Sequence, residues 1–351
     1  MSQHCFYLTN AVCIFPREIC KRDLYVRDGK ICAPCSDAVA IDCHGAFVAP
    51  GLIDMQINGI GDIDFATNPE GLISAKKELF TRGTTYFLAT IISQPLSAYA
   101  SILSRIPADI QVHLEGPFLN ESFAGAHDKE YIQRQCSDFP YQVKMVTLAP
   151  ELPGAMKWIE TLSKSSTVVS CGHSGASVSC LQQAESSGLQ MVTHLFNAMK
   201  PFHHRDPSII GYTLGNKSLF YSLVIDGKHL AKETVLMAYN AHPEGLILVS
   251  DCSADKMLAG RSLNGSCIAG SDILAGSHAS LWECMGRLYS YTGDLCHAVR
   301  ASATRPAKLL QLNKGCLLPG FDADLIVFTE TARKSLELNK TFVAGSCVFA
   351  R

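Results

Sequence analysis

The sequence predicts an α/β protein: a (β/α)8 barrel of the TIM type, with a small β-sandwich domain built from both chain termini. Three observations lead there. Apolar, β-branched runs of strand length alternate with helix-compatible segments through the middle of the chain. The alternating stretch, residues 49–312, matches the ~250 residues such a barrel needs. Both chain ends read differently, as short β runs broken by turn signals.

Taken in order, residues 1–48 hold β-like runs at Cys5-Phe6-Tyr7-Leu8, Ala11-Val12-Cys13-Ile14-Phe15 and Ala38-Val39-Ala40-Ile41, with a turn signal at Asp28-Gly29. The barrel strands are expected at Leu52-Ile53-Asp54-Met55, Thr85 to Thr90, Val112 to Glu115, Val143 to Leu148, Thr167 to Ser170, Gln190 to Thr193, Leu219 to Val224 and Leu246 to Val249. Helix-compatible segments fall at 69–81, 96–105, 155–163, 180–187 and 232–239. Residues 313–351 return to strand patterns at Ala323 to Phe328 and Lys340 to Ser346, which assigns 1–48 and 313–351 to one sandwich. A doubly wound sheet is the competing architecture. It would carry a glycine-rich fingerprint after its first strand, and Asn58-Gly59-Ile60-Gly61-Asp62 is not one.

Composition excludes several function classes. The chain has 351 residues, 47% hydrophobic and 18% charged, with a formal net charge of -2. That balance offers no broad basic field for nucleic acid or an anionic membrane. No apolar run approaches the ~20 residues of a membrane helix, and the start lacks a basic segment followed by a long apolar one. A cytoplasmic enzyme is the expectation. Fifteen scattered cysteines, an odd number, argue against a paired disulfide framework. Cys32-Ala33-Pro34-Cys35 is a C-x-x-C, read either as a turn with two incidental thiols or as a metal or redox pair.

The chemistry concentrates at strand ends. His113-Leu114-Glu115-Gly116-Pro117 places two ionisable groups on one face of a strand that glycine and proline then terminate. Glu115 is the better metal ligand of the two, with His113 supporting it from behind. His173 lies among small residues, Gly172, Ser174 and Gly175, and His194 follows Met191-Val192-Thr193. Two histidines and one carboxylate suit a catalytic zinc with an open position. Asp251, at the end of Leu246 to Ser250, suits a general base for bound water. Arg205 and His229, on loops, have the shape and charge for a phosphate.

These motifs, in this order, resemble the amidohydrolase superfamily, and within it the branch that deacetylates N-acetylated amino-sugar phosphates. The resemblance covers essentially the whole chain, from Ala49-Pro50-Gly51-Leu52-Ile53-Asp54 through Thr193-His194-Leu195-Phe196-Asn197-Ala198-Met199 to Pro319-Gly320-Phe321-Asp322-Ala323-Asp324. It implies one divalent metal, zinc by preference, on Glu115, His173 and His194, with Asp251 as acid and base. It further implies that His127 contacts the acetamide carbonyl, and that Asn197, the Ala198 backbone and Arg205 hold the sugar phosphate. It implies a homodimer in which His229 reaches the phosphate across the interface. The expected reaction is hydrolysis of N-acetyl-D-glucosamine 6-phosphate to the amine and acetate. The galactosamine epimer, a cyclic-amide substrate or a silent binding barrel are the alternatives.

One departure carries weight. Many superfamily members open with His-x-His on the first strand, which holds a second metal. Here those positions are Gln56 and Asn58, and neutral amides are poor zinc ligands beside imidazole. One metal is therefore expected.

Overall fold

The computed structural model describes residues 5–137, 141–254, 260–262, 265–267, 274–332 and 335–351. Eight parallel strands form the barrel sheet: β1 (Leu52–Ile57), β2 (Thr84–Ile91), β3 (Gln111–Glu115), β4 (Met145–Leu148), β5 (Val168–Cys171), β6 (Met191–Val192), β7 (Phe220–Leu223) and β8 (Leu246–Leu248). Each pairs with its sequence neighbour in parallel register, for example His113 opposite Met145 and Tyr221 opposite Leu246. The ring closes just beyond β8, where Ile57 bridges Cys252 and the Asp251 amide donates to the Gln56 carbonyl at 2.9 Å. Nearly every strand residue is buried, as in a sheet covered on both faces.

Five helices follow the expected segments, α1 (Leu72–Thr81), α2 (Tyr99–Arg105), α3 (Ala155–Lys164), α4 (Val178–Ser187) and α6 (Lys232–Ala241), while α5 (Ser208–Asn216) was not expected. α3 shows why. Its apolar Ala155, Trp158, Ile159 and Leu162 recur at helical spacing and are all buried, while Lys157, Glu160, Thr161 and Lys164 face out. α4 starts on a Ser177 cap to the Cys180 amide and stops at Gly188 in a left-handed conformation. α5 has no strong sequence period, and later α7 (Leu281–Thr292) opens on a Ser280/Glu283 capping box.

The chain divides into two compact units, 55–75 with 88–279, and 1–54 with 76–87 and 280–351. The second unit contains the terminal sheets. A six-stranded sheet interleaves the ends, in the order Ser346–Ala350, Leu336–Val343, Leu325–Glu330, Phe47–Pro50, Val12–Ile14, Ile19–Lys21. A four-stranded sheet runs Lys30–Cys32, Leu24–Arg27, Phe6–Thr9, Val39–Asp42. Phe6, Leu8, Cys13 and Val26 from one end share a core with Leu325, Val327 and Phe342 from the other. Asp28 and Gly29, both at positive φ, make the two-residue turn between Arg27 and Lys30. Among the described residues no helix is long and apolar enough to cross a membrane, and no disulfide is formed.

In this unit His297, 1% exposed, lies between two guanidinium groups, with Arg305 Nη1 3.2 Å from Nε2 and Arg300 Nη2 3.3 Å from Nδ1. Burial, then the charges of Arg305 and Arg300, push its pKa down to about 3. The unfolded chain binds the proton near pH 6.5, so stability is full above that pH and falls as pH drops toward 3. H297Q is expected to flatten this acid slope, measured as the urea midpoint between pH 7 and pH 4; an unchanged slope would show that His297 does not drive it.

Candidate active site

All the candidate residues that meet do so at the C-terminal ends of barrel strands, within the unit 55–75 and 88–279. Glu115 is the last residue of β3, His173 and His194 follow β5 and β6 by two positions, and Asp251 follows β8 by three. This is the end where barrels of this type carry their sites. His173, His194 and Asp251 adopt left-handed backbone, with φ of 48°, 32° and 48°. Non-glycine residues avoid that region, and they remain there only where surrounding contacts fix them. Gly172 makes room for such a bend, since a Cβ there would meet Thr147 Cγ2 at 2.6 Å.

The side chains converge on one oxygen. His173 Nε2 lies 3.2 Å and His194 Nε2 3.0 Å from Glu115 Oε1, and the two nitrogens are 3.1 Å apart. His173 Nδ1 donates to the Phe123 carbonyl at 2.9 Å, so its proton sits there and Nε2 presents a bare lone pair. A lone pair aimed at a carboxylate oxygen is repulsive unless a cation lies between them. Tetrahedral ligands with ~2.0 Å bonds stand about 3.3 Å apart, close to these separations. The three residues therefore fit a divalent metal. Burial pushes the Glu115 carboxyl up, but the imidazoles of His127, His173 and His194 hold it well below the usual carboxylate range.

His127 faces the same carboxylate, with Nε2 3.8 Å from Glu115 Oε2. Its other nitrogen receives the Ser93 amide at 3.2 Å and lies 2.9 Å from the Ser93 hydroxyl. An amide N–H can only donate, so Nδ1 is bare and the single proton of neutral His127 sits on Nε2, toward the cavity. Burial, then the charge of His173, lowers its pKa to about 4 and keeps it neutral.

The amides of β1 serve the carboxylates. Gln56 Nε2 donates to Glu115 Oε1 and Asn58 Nδ2 to Asp251 Oδ1, each at 2.9 Å. Each amide fixes the orientation of the carboxylate to which it donates. Burial, then the charge of Glu115, raises the Asp251 pKa to about 6. His113 does not line the cavity. It is wholly buried, between the Met55 carbonyl at 3.1 Å and Thr147 Oγ1 at 2.8 Å, and burial lowers its pKa to about 4.

A cavity of about 440 Å³ opens over this cluster, lined among others by Asn58, Phe123, His127, Asn197, Ala198, His229, Asp251 and Gly276. Asn197 is tied to the His194 carbonyl at 3.2 Å. The two residues expected at the phosphate sit differently within the chain. Arg205 is exposed, packs its guanidinium against His204 at 3.0 Å, and does not line the cavity. His229 lines its own chain's cavity, its side chain 6% exposed and its Nδ1 bound to Asp226 Oδ2 at 2.8 Å.

Sequence reasoning missed Ser93, which orients His127, and Glu151, which takes hydrogen bonds from Asn120, Ser174 and the Gly175 amide to brace the His173 loop. Glu151 follows β4 as the other site residues follow their strands, a signal available from spacing. Ser93 has no such signal.

The fold and site define an amidohydrolase. The chain belongs to that family: the amidohydrolase family model matches residues 47–348. Among its relatives, N-acetylglucosamine-6-phosphate deacetylase of Bos taurus is 34% identical, covering 94% of this chain and 92% of that one, and the Homo sapiens protein of the same name is 32% identical over 97% and 95%. The Thermotoga maritima N-acetylglucosamine-6-phosphate deacetylase superposes with a TM-score of 0.86 at 25% identity, covering 99% of this chain and 100% of that one. A point mutant of the Mycobacterium smegmatis enzyme, solved in complex with N-acetyl-D-glucosamine-6-phosphate, gives 0.87 at 24%, covering 98% and 99%.

The hydrogen bonds above require His127 to carry its proton on Nε2. Imidazole 15N spectra of the labelled protein at neutral pH are expected to show that tautomer for His127; an Nδ1-protonated signal would overturn the assignment.

Proposed function

We propose that this protein hydrolyses the N-acetyl group of N-acetyl-D-glucosamine 6-phosphate, giving D-glucosamine 6-phosphate and acetate. One observation carries the reading: a lone-pair nitrogen of His173, a nitrogen of His194 and an oxygen of Glu115 converge within 3.2 Å beneath a cavity that also presents Asp251 and the His127 N–H. The donor set, two imidazoles and one carboxylate, favours zinc. Such an ion, held by Glu115, His173 and His194, supplies a Lewis acid that acidifies water and polarises the amide carbonyl.

The chain's own groups do the rest. Asp251, anchored by Asn58, takes the proton as water attacks the carbonyl carbon, and returns it to the departing amine nitrogen. Its raised pKa suits it to both transfers near neutrality. The His127 Nε2–H donates to the carbonyl oxygen as negative charge develops there. Asn197 and the Ala198 backbone flank the sugar phosphate, with Arg205 and His229 as its further contacts, His229 across the interface of the homodimer. Gln56 and Asn58 donate through their amide nitrogens to the carboxylates and place no imidazole on β1, so one ion per site is the reading. The same reading places the protein in the cytoplasm as a homodimer, with 49–312 as the catalytic barrel and 1–48 with 313–351 as one β module. Sedimentation of the purified protein checks the assembly.

The deciding assay is acetate release from N-acetylglucosamine 6-phosphate, with the galactosamine epimer alongside. A metal-loaded protein that releases no acetate from the gluco substrate would refute the proposal. Chelation is expected to abolish turnover and one equivalent of zinc per chain to restore it; a need for two equivalents would refute the single-metal site. D251N is expected to keep its metal while kcat falls by about 10²- to 10⁴-fold. H127N, lacking a donor at the ε position, is expected to lose about 10²- to 10³-fold in kcat, and H127Q, which keeps one, distinctly less. Equal losses would show that the ε-position donor is not what matters.

A further inference from the structure

The C-x-x-C of the terminal module does not pair within itself. The sulfur that Cys35 contacts is Cys5 Sγ, at 3.0 Å, and Cys32 does not join the group of Cys5, Cys35 and Asp37 whose ligand atoms lie within 4.8 Å of one another. Backbone pairing brings the two thiols together. The Val39 amide donates to the Cys5 carbonyl at 3.1 Å, and from there Phe6 to Thr9 runs parallel to Val39 to Asp42. The 32–38 turn then folds back over the start of the first strand. Both thiols are only partly buried, so small molecules can reach them.

We infer that Cys5 and Cys35 are a covalent modification site, joined as a disulfide by exchange with a low-molecular-weight disulfide of the oxidised glutathione class. Metal binding fits less well. Two thiolates on one zinc, with ~2.3 Å bonds, stand about 3.8 Å apart, wider than the observed contact. Asp37, the one further ligand among the described residues, is already held by the Arg27 guanidinium. Arg27 also interacts with Cys5. Contact with Cys5 pushes the Cys35 thiol up, to about 12.

The exchange balances without another reactant. One of the two sulfurs, as the thiolate, attacks one sulfur of the small disulfide, whose S–S bond breaks and releases one thiol. The other then attacks the protein sulfur of the mixed disulfide and expels the second thiol. Two protein thiols are oxidised, one small disulfide is reduced, and the two protons leave on the released thiols. The closed loop spans five strands, Phe6–Thr9 through Lys30–Cys32, so the crosslink restricts the unfolded chain.

The full-length protein is incubated with oxidised glutathione, quenched with acid, and analysed by intact mass and by peptide mapping without reduction. Expected are a mass lower by two hydrogens, a Cys5–Cys35 linked peptide, and a thermal midpoint raised by a few degrees that dithiothreitol reverses. The link is expected to be lost in C5S and C35S and unchanged in C32S, with circular dichroism confirming that each variant folds. A Cys32–Cys35 peptide, a persistent glutathione adduct on the wild-type protein, or stoichiometric zinc that protects both thiols from alkylation would each overturn the inference.

Discussion

A carboxylate in the mouth of the barrel, facing two imidazole nitrogens, is the constraint on which this structure turns. Glu115 is 3% exposed, and the nearest nitrogen of His173 has no proton to offer it. Burying a charge against a lone pair is costly unless a cation joins them. The surroundings follow from that demand. Three of the four converging residues take a strained backbone turn at the end of a strand, which aims them inward where a regular strand would point them elsewhere. Gln56 and Asn58 each hold one carboxylate oxygen, so neither Glu115 nor Asp251 is free to rotate away.

Below the site, polar residues continue into the barrel interior. His113 Nε2 meets Thr147, whose hydroxyl meets Thr193, which in turn meets Ser170, at 2.8, 2.8 and 2.6 Å. Ser222 takes the His194 amide at 2.8 Å. Such a chain is tolerable in a core because each hydroxyl can donate once and accept once. It locks the strand ends laterally, so the positions of His173 and His194 are set by neighbouring strands as well as by their own.

Much of this was readable from residues alone, for identifiable reasons. The barrel strands are buried on both faces, so they stand out as apolar runs, and the residue that ends each run is the one exposed to the cavity. Glu115, His173, His194 and Asp251 were all visible by that rule. α5 was not, because Ser208-Ile209-Ile210-Gly211-Tyr212 has no clean amphipathic period. The short terminal strands Ile19–Lys21 and Leu24–Arg27 lie below the length at which alternation is legible. Ser93 acts partly through its backbone N–H, which every residue but proline possesses, so no residue type could have marked it. His229 and Arg205 were chosen as loop residues with phosphate-compatible chemistry, yet their reach depends on loop geometry. Asp226, three residues before His229, turns that ring into its own cavity.

The seam between β1 and the segment after β8 has a consequence for how the molecule comes into being. Asn58 and Asp251 are 193 positions apart, and the same few contacts both shut the ring and seat the acid. Loop closure of that span comes late and gains nothing until the last strand arrives. A nascent chain emerging from the ribosome can therefore assemble most of the sheet while remaining chemically inert. Competence is acquired in a single topological event, when the end of the barrel finds its beginning.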